Sequence, residues 1–313
     1  MFRPEIRINR MDSTPREPSS ASGWSNAHEA NKFYTPPQWS TAADLREALE
    51  KQELFVKTGV HAVDQLLGGG LLQGEVVELF GGPGSGKSML CMAICAEQMR
   101  SSAASVLYVD TCRAACAETI YQLALRRDRS NRAECKQNLG AMLRLCDATH
   151  MQAVLITLES LIVELSQPEP SEWLRALRLV IVDSVFSVAM LEGQGGVPEA
   201  GALQLLRLQD VLRELSRRFR LAILVTNAAQ TMGASNEPPG TSQPALGVAW
   251  QHMARVRIRL MSAAEAEAPG VDAVEPLFTG RAMLTKSPLS HRPFPPIDHP
   301  SASCVFSIGP PSS

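Results

Sequence analysis

Apolar residues fall into short, nearly continuous runs that alternate with longer segments whose apolar positions recur at helical spacing. The short runs predict strands at Glu75–Phe80, Ser105–Asp110, Met142–Cys146, Leu177–Asp183, Leu221–Thr226 and Ala254–Met261. The longer segments predict helices at Ser88–Arg100, Ala115–Arg127, Met151–Leu165 and Ala202–Arg217. Strands that alternate with helices in this way predict an α/β fold, with a mostly parallel twisted sheet covered by helices on both faces.

The two ends of the chain differ from this alternating core, which we place at residues 57–261. Residues 1–40 are rich in Ser, Pro, Asn and charge without apolar periodicity, which predicts a disordered segment. Residues 41–56 predict a short linker helix. Residues 262–313 predict a polar surface insertion, a proline-rich tail at 288–300 and a last edge strand at Ser303–Ile308.

Composition narrows the class of protein but does not identify a function. The 313 residues are 45% hydrophobic and 20% charged, as in an ordinary globular core, and carry a net charge of −2. No apolar run approaches the roughly eighteen residues of a membrane span, so we expect no membrane partner. The seven scattered cysteines lack zinc-site spacing, which favours reduced, buried thiols over a metal site or disulfides.

The strongest chemical signal is the segment GGPGSGKS, which follows the strand EVVELF and precedes an apolar helix. This is the context that the phosphate-binding motif G-x-x-x-x-G-K-[ST] requires. Glycines let backbone N–H groups turn toward a triphosphate, and the positive end of the helix attracts it. We expect the Lys87 ammonium to reach the phosphates and the Ser88 hydroxyl to join a Mg²⁺ shell. The predicted nucleotide-binding residues are Gly81, Gly82, Pro83, Gly84, Ser85, Gly86, Lys87 and Ser88.

A second candidate metal ligand, Asp183, ends the apolar strand LRLVIVDS. An aspartate at this position holds Mg²⁺ directly or through water in proteins with such a glycine loop. The alternative is an aspartate that caps the next turn. No guanine-specifying N/T-K-x-D string follows, so ATP with Mg²⁺ is the expected cofactor pair.

Two further stretches carry a family resemblance. Thr58–Leu79 reads TGVHAVDQLLGGGLLQGEVVEL and Gln243–Trp250 reads QPALGVAW. Both resemble the RecA superfamily and, within it, the eukaryotic paralogues of the strand-exchange recombinase. The strings ADLREAL, SVLYVDTC and DSVFSVAMLEGQGG are most similar to the D-type paralogue.

This resemblance implies a RecA-like P-loop core and a nuclear role in homologous-recombination DNA repair. The D-type paralogue acts between C-type and X-type paralogues in a complex that assists the main recombinase on single-stranded DNA. We therefore expect an ATP-binding accessory subunit with those partners. The D-type paralogue normally begins with a small helical domain, which residues 1–40 do not resemble. We expect that this domain is lost or that the gene model is wrong there.

The sequence departs from an active recombinase at the residue that activates water. Active RecA-type ATPases carry a glutamate two residues after the aspartate that ends the second strand. Here that aspartate is Asp110, and Cys112 occupies the glutamate position. Losing a general base typically slows a reaction roughly 10²–10⁴-fold, so we predict slow hydrolysis and assign no catalytic residue. Glu118 is a poor replacement because it lies about two turns into the next helix.

A second departure concerns the coupling of ATP to DNA. Recombinases carry a glutamine after the Thr-Asn that ends the strand Leu221–Thr226, and here Ala228 stands there. Gln230 could replace it only through a register shift. The loops expected to face DNA, Val185–Leu206 and Asn227–Met253, contain no Lys or Arg, which predicts weak DNA contact there. The alternative function, a self-assembling DNA-dependent ATPase that performs strand exchange directly, is therefore less favoured.

Three arginines, Arg255, Arg257 and Arg259, alternate with apolar residues and so lie on one face of a predicted strand. Such a row is most often a solvated sheet face. The functional alternative is a contact with phosphates or with an acidic partner.

Overall fold

A sheet of nine strands is the centre of the computed structural model. The structure describes residues 41, 54–101, 104–127, 132–193, 198–231, 242–262, 278–286 and 303–308. All of these except residue 41 belong to one compact unit, Ala48–Ser313. The expected disordered segment, linker helix, polar insertion and proline-rich tail lie almost entirely outside the described residues. The end of the predicted linker helix is wrong, because Phe55–Val56 form a short strand that pairs with Leu71–Leu72.

The elements follow one another mainly as strand and helix in turn. The strands are β1 (Phe55–Val56), β2 (Leu71–Leu72), β3 (Val76–Gly81), β4 (Ser105–Asp110), β5 (Leu143–Asp147), β6 (Leu177–Asp183), β7 (Ala222–Thr231), β8 (Ser242–Pro244), β9 (Val256–Ser262), β10 (Phe278–Lys286) and β11 (Ser303–Ile308). The helices are α1 (His61–Leu66), α2 (Lys87–Ser101), α3 (Ala117–Arg127), α4 (Arg132–Met142), α5 (Met151–Leu165), α6 (Glu172–Ala176), α7 (Val185–Gly193), α8 (Pro198–Phe219) and α9 (Gly247–Gln251).

The large sheet is mostly parallel, as the sequence predicts. Its order is β11-β10-β9-β3-β7-β6-β4-β5, with β8 paired to β7. The strands from β9 to β5 run parallel, whereas β10 and β11 continue antiparallel from β9. In register, Asp110 pairs with both Asp183 and Asp147, and Gly81 pairs with Ala228. The carboxyl ends of these strands therefore meet at one edge of the sheet.

Helices cover both faces of the sheet, which confirms the predicted layers. Because side chains alternate along a strand, the buried residues form two clusters. Leu179 and Ile181 of β6 pack with α1–α4, whereas Val180 and Val182 pack with α5–α8. Burial on both faces explains why the strands read as continuous apolar runs rather than as alternating patterns.

Several predicted elements have the bounds seen in the structure, whereas elements that depend on contacts distant in sequence were not predicted. Ser105–Asp110, Leu177–Asp183, Ser303–Ile308 and Met151–Leu165 have the predicted bounds. The pattern does not predict α4, α7 or β10. In α4, Asn138 and Gly140 weaken the local helix signal, and β10 depends on pairing with β9 and β11, which short-range patterns do not report.

All seven cysteines are free thiols, but not all are buried as expected. Cys91, Cys95 and Cys135 are buried in the core. Cys112 and Cys116 are exposed because they lie in the loop between β4 and α3.

A fully buried carboxylate, Glu78, joins β3 to three other elements. Its Oε1 accepts hydrogen bonds from Asn227 Nδ2 on β7 at 2.7 Å and from Trp250 Nε1 on α9 at 2.8 Å. Its Oε2 accepts from Arg257 Nε on β9. Asn227 also donates to the Ala245 carbonyl at 2.9 Å. A buried charge needs such partners, and here they fix the segment before α9 against the sheet.

This contact overturns the expectation of a solvated arginine row. Arg257 is only 8% exposed and forms a buried ion pair with Glu78. Arg255 pairs with Glu75 at 2.6 Å, and Arg259 is half-buried. The regular spacing places the three residues on one face, but α9 covers part of that face, where Arg257 Nη2 donates to the Gln251 carbonyl at 3.4 Å.

We predict that Arg257→Ala lowers the free energy of unfolding by about 3–5 kcal/mol, because Glu78 loses its buried counter-ion. Arg255→Ala, which removes an exposed ion pair two residues away, should cost less than about 1 kcal/mol. Urea unfolding followed by circular dichroism measures both. Equal losses for the two variants would contradict a dominant role for the Glu78 contact.

Candidate nucleotide-binding site

The predicted phosphate-binding loop joins the end of β3 directly to the start of α2. Gly81 is the last residue of β3 and Lys87 is the first residue of α2. Gly84 and Gly86 have left-handed φ values of 73° and 87°, and the Ser85 N–H donates to the Gly82 carbonyl at 3.3 Å. The loop is therefore a tight turn that ends at a helix N-terminus, the arrangement that suits an anion.

Two glycines of this loop are required by close contacts. A Cβ atom at Gly81 would lie 2.3 Å from the Leu260 carbonyl oxygen. A Cβ atom at Gly86 would lie 2.3 Å from the Phe278 ring, in addition to the strain of its positive φ. The loop is thus held between β9 and the first residue of β10.

The Lys87 side chain lies over this loop rather than toward the core. Its Nζ donates to the carbonyls of Gly81 and Gly82 at 2.9 and 2.8 Å and to Ser85 Oγ at 3.3 Å. These are oxygen partners of the kind that phosphate oxygens would replace. Ser88, next along the first turn of α2, is half-buried.

Asp183 ends β6 at the same edge of the sheet and is 2% exposed. Its Oδ2 accepts a hydrogen bond from Tyr108 Oη at 2.8 Å, and its Oδ1 accepts from Thr226 Oγ1. These two side chains come from β4 and β7, the neighbours of β6, so the carboxylate is fixed from both sides. Each oxygen keeps a second lone pair for another ligand.

The pKa of the buried Cys91 thiol depends on the charges of both Asp183 and Lys87. Burial, and then the Asp183 charge, raise the pKa of Cys91 well above its usual value, whereas Lys87 lowers it. The pKa of Tyr108 is likewise raised, first by burial and then by the charges around Cys91 and Asp183. One charge at the start of α2 and one at the end of β6 therefore act on the same buried atoms.

The donor set fits a Mg²⁺ ion that phosphate oxygens and water also coordinate. The described residues contain no group of three or more His, Cys, Asp or Glu able to hold a metal alone. Mg²⁺ commonly takes one or two protein oxygens and completes its shell with phosphates and water. Ser88, in the first turn of α2, and Asp183, at the end of β6, are the oxygen donors predicted for this ion.

Cys112 lies two residues beyond Asp110, at the end of β4, and contacts the first turn of α7. Its Sγ lies 2.9 Å from Ser187 Oγ and 3.9 Å from Ser184 Oγ, and Ser184 directly follows Asp183. The thiol is exposed at this edge. The neighbourhood therefore consists of hydroxyls and a thiol, with no carboxylate among these contacts.

The nearby carboxylates are committed to other contacts. Asp110 accepts N–H groups from Cys112, Ala114 and Ala115 at 3.0, 3.2 and 2.8 Å and so shapes the loop before α3. Glu118 is exposed and accepts from Gln122 Nε2 at 2.6 Å. Asp110 therefore holds its own loop, and Glu118 is hydrogen-bonded within its own helix.

The strand β7 keeps the register that puts Ala228 beside the loop. Ala228 pairs with Gly81, while Gln230 pairs with Gln243 of β8 and is exposed. No register shift brings Gln230 to the position of Ala228. A methyl group therefore stands where recombinases carry the expected glutamine.

Three supporting residues of the site are not predicted from the sequence: Tyr108, Thr226 and Phe278. Tyr108 and Thr226 lie inside predicted apolar strands, and only their polar atoms hint at a buried partner. Phe278 lies well beyond the end of the predicted core, and no local pattern connects it with Gly86.

The chain is similar in sequence to a group of DNA repair proteins. A family model described as Rad51 matches residues 50–268. DNA repair protein RAD51 homolog 4 is 32% identical in Bos taurus and 33% identical in Mus musculus. Each alignment covers 70% of this chain, and 65% and 64% of the relative. DNA repair protein XRCC3 of Bos taurus is 29% identical over 70% of this chain and 66% of that protein.

These matches confirm the RecA-superfamily resemblance and the RecA-like core. The chain spans a little less than two thirds of the RAD51 homolog 4 relatives. No helix among the described residues is long and apolar enough to cross a bilayer.

We predict that Lys87→Ala abolishes most of the thermal stabilisation that ATP with Mg²⁺ gives to the protein, because the loop loses its ammonium group. The fold should be retained, since Lys87 contacts the loop and not the core. Differential scanning fluorimetry with and without ATP measures the shift. Lys136→Ala, an exposed lysine of α4, is the control and should respond like the wild type. Equal stabilisation of the Lys87 variant would contradict the site assignment.

Proposed function

Because the chain belongs to the Rad51 family, we propose that it is an ATP-binding accessory paralogue in homologous-recombination DNA repair. It acts as a subunit of a multi-paralogue complex and hydrolyses ATP slowly. The main support is one contrast within the site: the phosphate-binding loop, Lys87 and Asp183 are intact, whereas Cys112 lies among serines where a water-activating carboxylate is expected.

Each residue has a defined part in holding the nucleotide. The glycine loop and the N-terminus of α2 bind the phosphates of ATP, and the Lys87 ammonium neutralises their charge. Ser88 and Asp183 hold Mg²⁺, which when bound neutralises charge on the phosphates. Tyr108 and Thr226 keep the Asp183 carboxylate in place. None of these groups removes a proton from water, so binding is favoured over turnover.

A site that binds ATP and hydrolyses it slowly is suited to a long-lived interface between subunits. In RecA-type proteins the nucleotide lies at the interface between neighbours, so it stabilises whichever assembly holds it more tightly. The groups that would convert hydrolysis into loop movement are replaced here by Cys112 and Ala228. We therefore infer that ATP controls assembly rather than DNA contact through Val185–Leu206 and Asn227–Met253, the two segments expected to face DNA.

The expected partners follow from the proposal that the protein is an accessory paralogue. They are the C-type and X-type paralogues and the main recombinase, with single-stranded DNA as the substrate of the complex. The relatives are named as DNA repair proteins, which supports this pathway and a nuclear location.

We predict that Cys112→Glu raises the ATP turnover of the purified protein at least tenfold, because it restores a carboxylate at the general-base position. Cys112→Gln, of similar size but without a carboxylate, is the matched control and should stay at the low wild-type rate. Phosphate release measured with and without single-stranded DNA checks both. A fast wild-type rate that DNA stimulates would favour the strand-exchange ATPase instead.

We predict that Lys87→Ala also weakens association with at least one recombinase paralogue, because the subunit interface then lacks bound ATP. Co-purification from cells, quantified by mass spectrometry, measures the loss of partner. The Lys136→Ala variant again serves as the control. Unchanged recovery of every partner by the Lys87 variant would contradict the role of ATP in assembly.

A further inference from the structure

Exposed arginines collect at the edge of the sheet where the parallel strands begin, opposite the glycine loop. We call this set the arginine band: Arg144, Arg178, Arg217, Arg218, Arg220 and Arg255. Arg255 directly precedes β9, Arg178 is the second residue of β6 and Arg144 is the second residue of β5. The other three come from the last turn of α8 and the link into β7. All six side chains are exposed.

The band members lie near the starts of β9, β7, β6 and β5, so the band follows the edge of the sheet. From β9 to β5 there are five strand intervals of about 4.8 Å, which give a length of about 24 Å. At one end of the band, Arg255 forms an ion pair with Glu75 at 2.6 Å. Burial raises the pKa of Glu75, while the charges of Arg255 and then Arg217 lower it.

Most of this positive charge is not neutralised within the described part of the chain. Glu75 pairs with Arg255 at 2.6 Å, and Glu214 pairs with Arg218 at 2.8 Å. Among the described residues, no carboxylate forms an ion pair with Arg144, Arg178, Arg217 or Arg220. Arg178 instead donates to the backbone carbonyls of Arg175 and Leu177. The edge therefore presents a net positive surface although the whole chain has a net charge of −2.

Aromatic rings lie within the same band. The Arg144 guanidinium carbon lies 3.9 Å from the centre of the Trp173 ring, and that of Arg218 lies 4.9 Å from the Phe219 ring. Both rings are half-buried. Proteins that bind single strands without sequence preference combine a positive groove with aromatic and arginine surfaces on which bases stack. An acidic peptide would need the charges but not the rings.

We propose that the arginine band binds the phosphate backbone of single-stranded nucleic acid, at the edge of the sheet opposite the nucleotide site. About 24 Å of positive surface suits a segment of several nucleotides. Such a surface supplies the cations that the segments Val185–Leu206 and Asn227–Met253 lack. The proposed function enters only in the choice of single-stranded DNA as the probe, since the charge and aromatic contacts stand without it.

The test is a titration of a fluorescein-labelled 20-nucleotide oligothymidine with the full chain at several salt concentrations. The test variant is Arg217→Gln/Arg220→Gln. The matched control is Arg207→Gln/Arg113→Gln, which removes the same charge from outside the band. Arg207 shares helix α8 with Arg217, and Arg113 shares the left-handed backbone of Arg220, with φ of 55° and 53°.

The test variant should bind more weakly than the wild type, whereas the control should keep wild-type affinity. A plot of log affinity against log salt concentration has a negative slope. Each arginine that no longer neutralises a phosphate should make this slope shallower by about 0.7, so the pair of substitutions should make it shallower by about 1.4. Thermal unfolding should show that both variants are folded and still respond to ATP.

Equal affinity and slope for the test variant and the wild type would overturn the proposal. Tighter binding of a poly-glutamate peptide than of the oligonucleotide, abolished in the same variant, would overturn it in favour of an acidic protein partner. Equal stabilisation of the wild type and the Lys87→Ala variant by ATP would contradict the proposed function and leave this inference standing, because the two sites lie at opposite edges of the sheet.

Discussion

The buried contact of Glu78 with Arg257, Asn227 and Trp250 holds together the part of the fold that carries the site. It connects β3, which leads into the glycine loop, with both neighbouring strands and with the helix α9. An unpaired carboxylate in this position would be expensive to bury, so these elements have to assemble together. The position of the loop relative to Ala228 follows from this assembly, because the loop begins at Gly81 of β3 and Gly81 pairs with Ala228 of β7.

The parallel sheet places two different kinds of charged group at its two edges. The carboxyl edge collects the phosphate-binding loop and the fixed carboxylate of Asp183. The amino edge collects arginines with half-buried aromatic rings. A protein organised in this way can hold a nucleotide at one edge and a polyanion at the other without either ligand competing for the same residues.

The glycine loop, Lys87 and the strand-end position of Asp183 were predictable because each belongs to a contiguous string with a known mechanical context. The replacement of the expected glutamate by Cys112 was also predictable, because its position is two residues after the aspartate that ends β4. Tyr108, Thr226 and Phe278 were not, because they reach the site through pairing of strands far apart in sequence. The arginine row of β9 shows the same limit: its spacing predicted one face, but only the structure revealed that Glu78 buries Arg257.

The central claim is that this site keeps ATP rather than consuming it. The most direct measurement is the identity of the nucleotide that the protein carries after prolonged exposure to ATP. The protein is incubated for an hour with α-labelled ATP, Mg²⁺ and single-stranded DNA, separated from free nucleotide by rapid gel filtration, denatured and examined by chromatography. Recovery of mostly intact ATP is the predicted result, and recovery of mostly ADP would contradict the account.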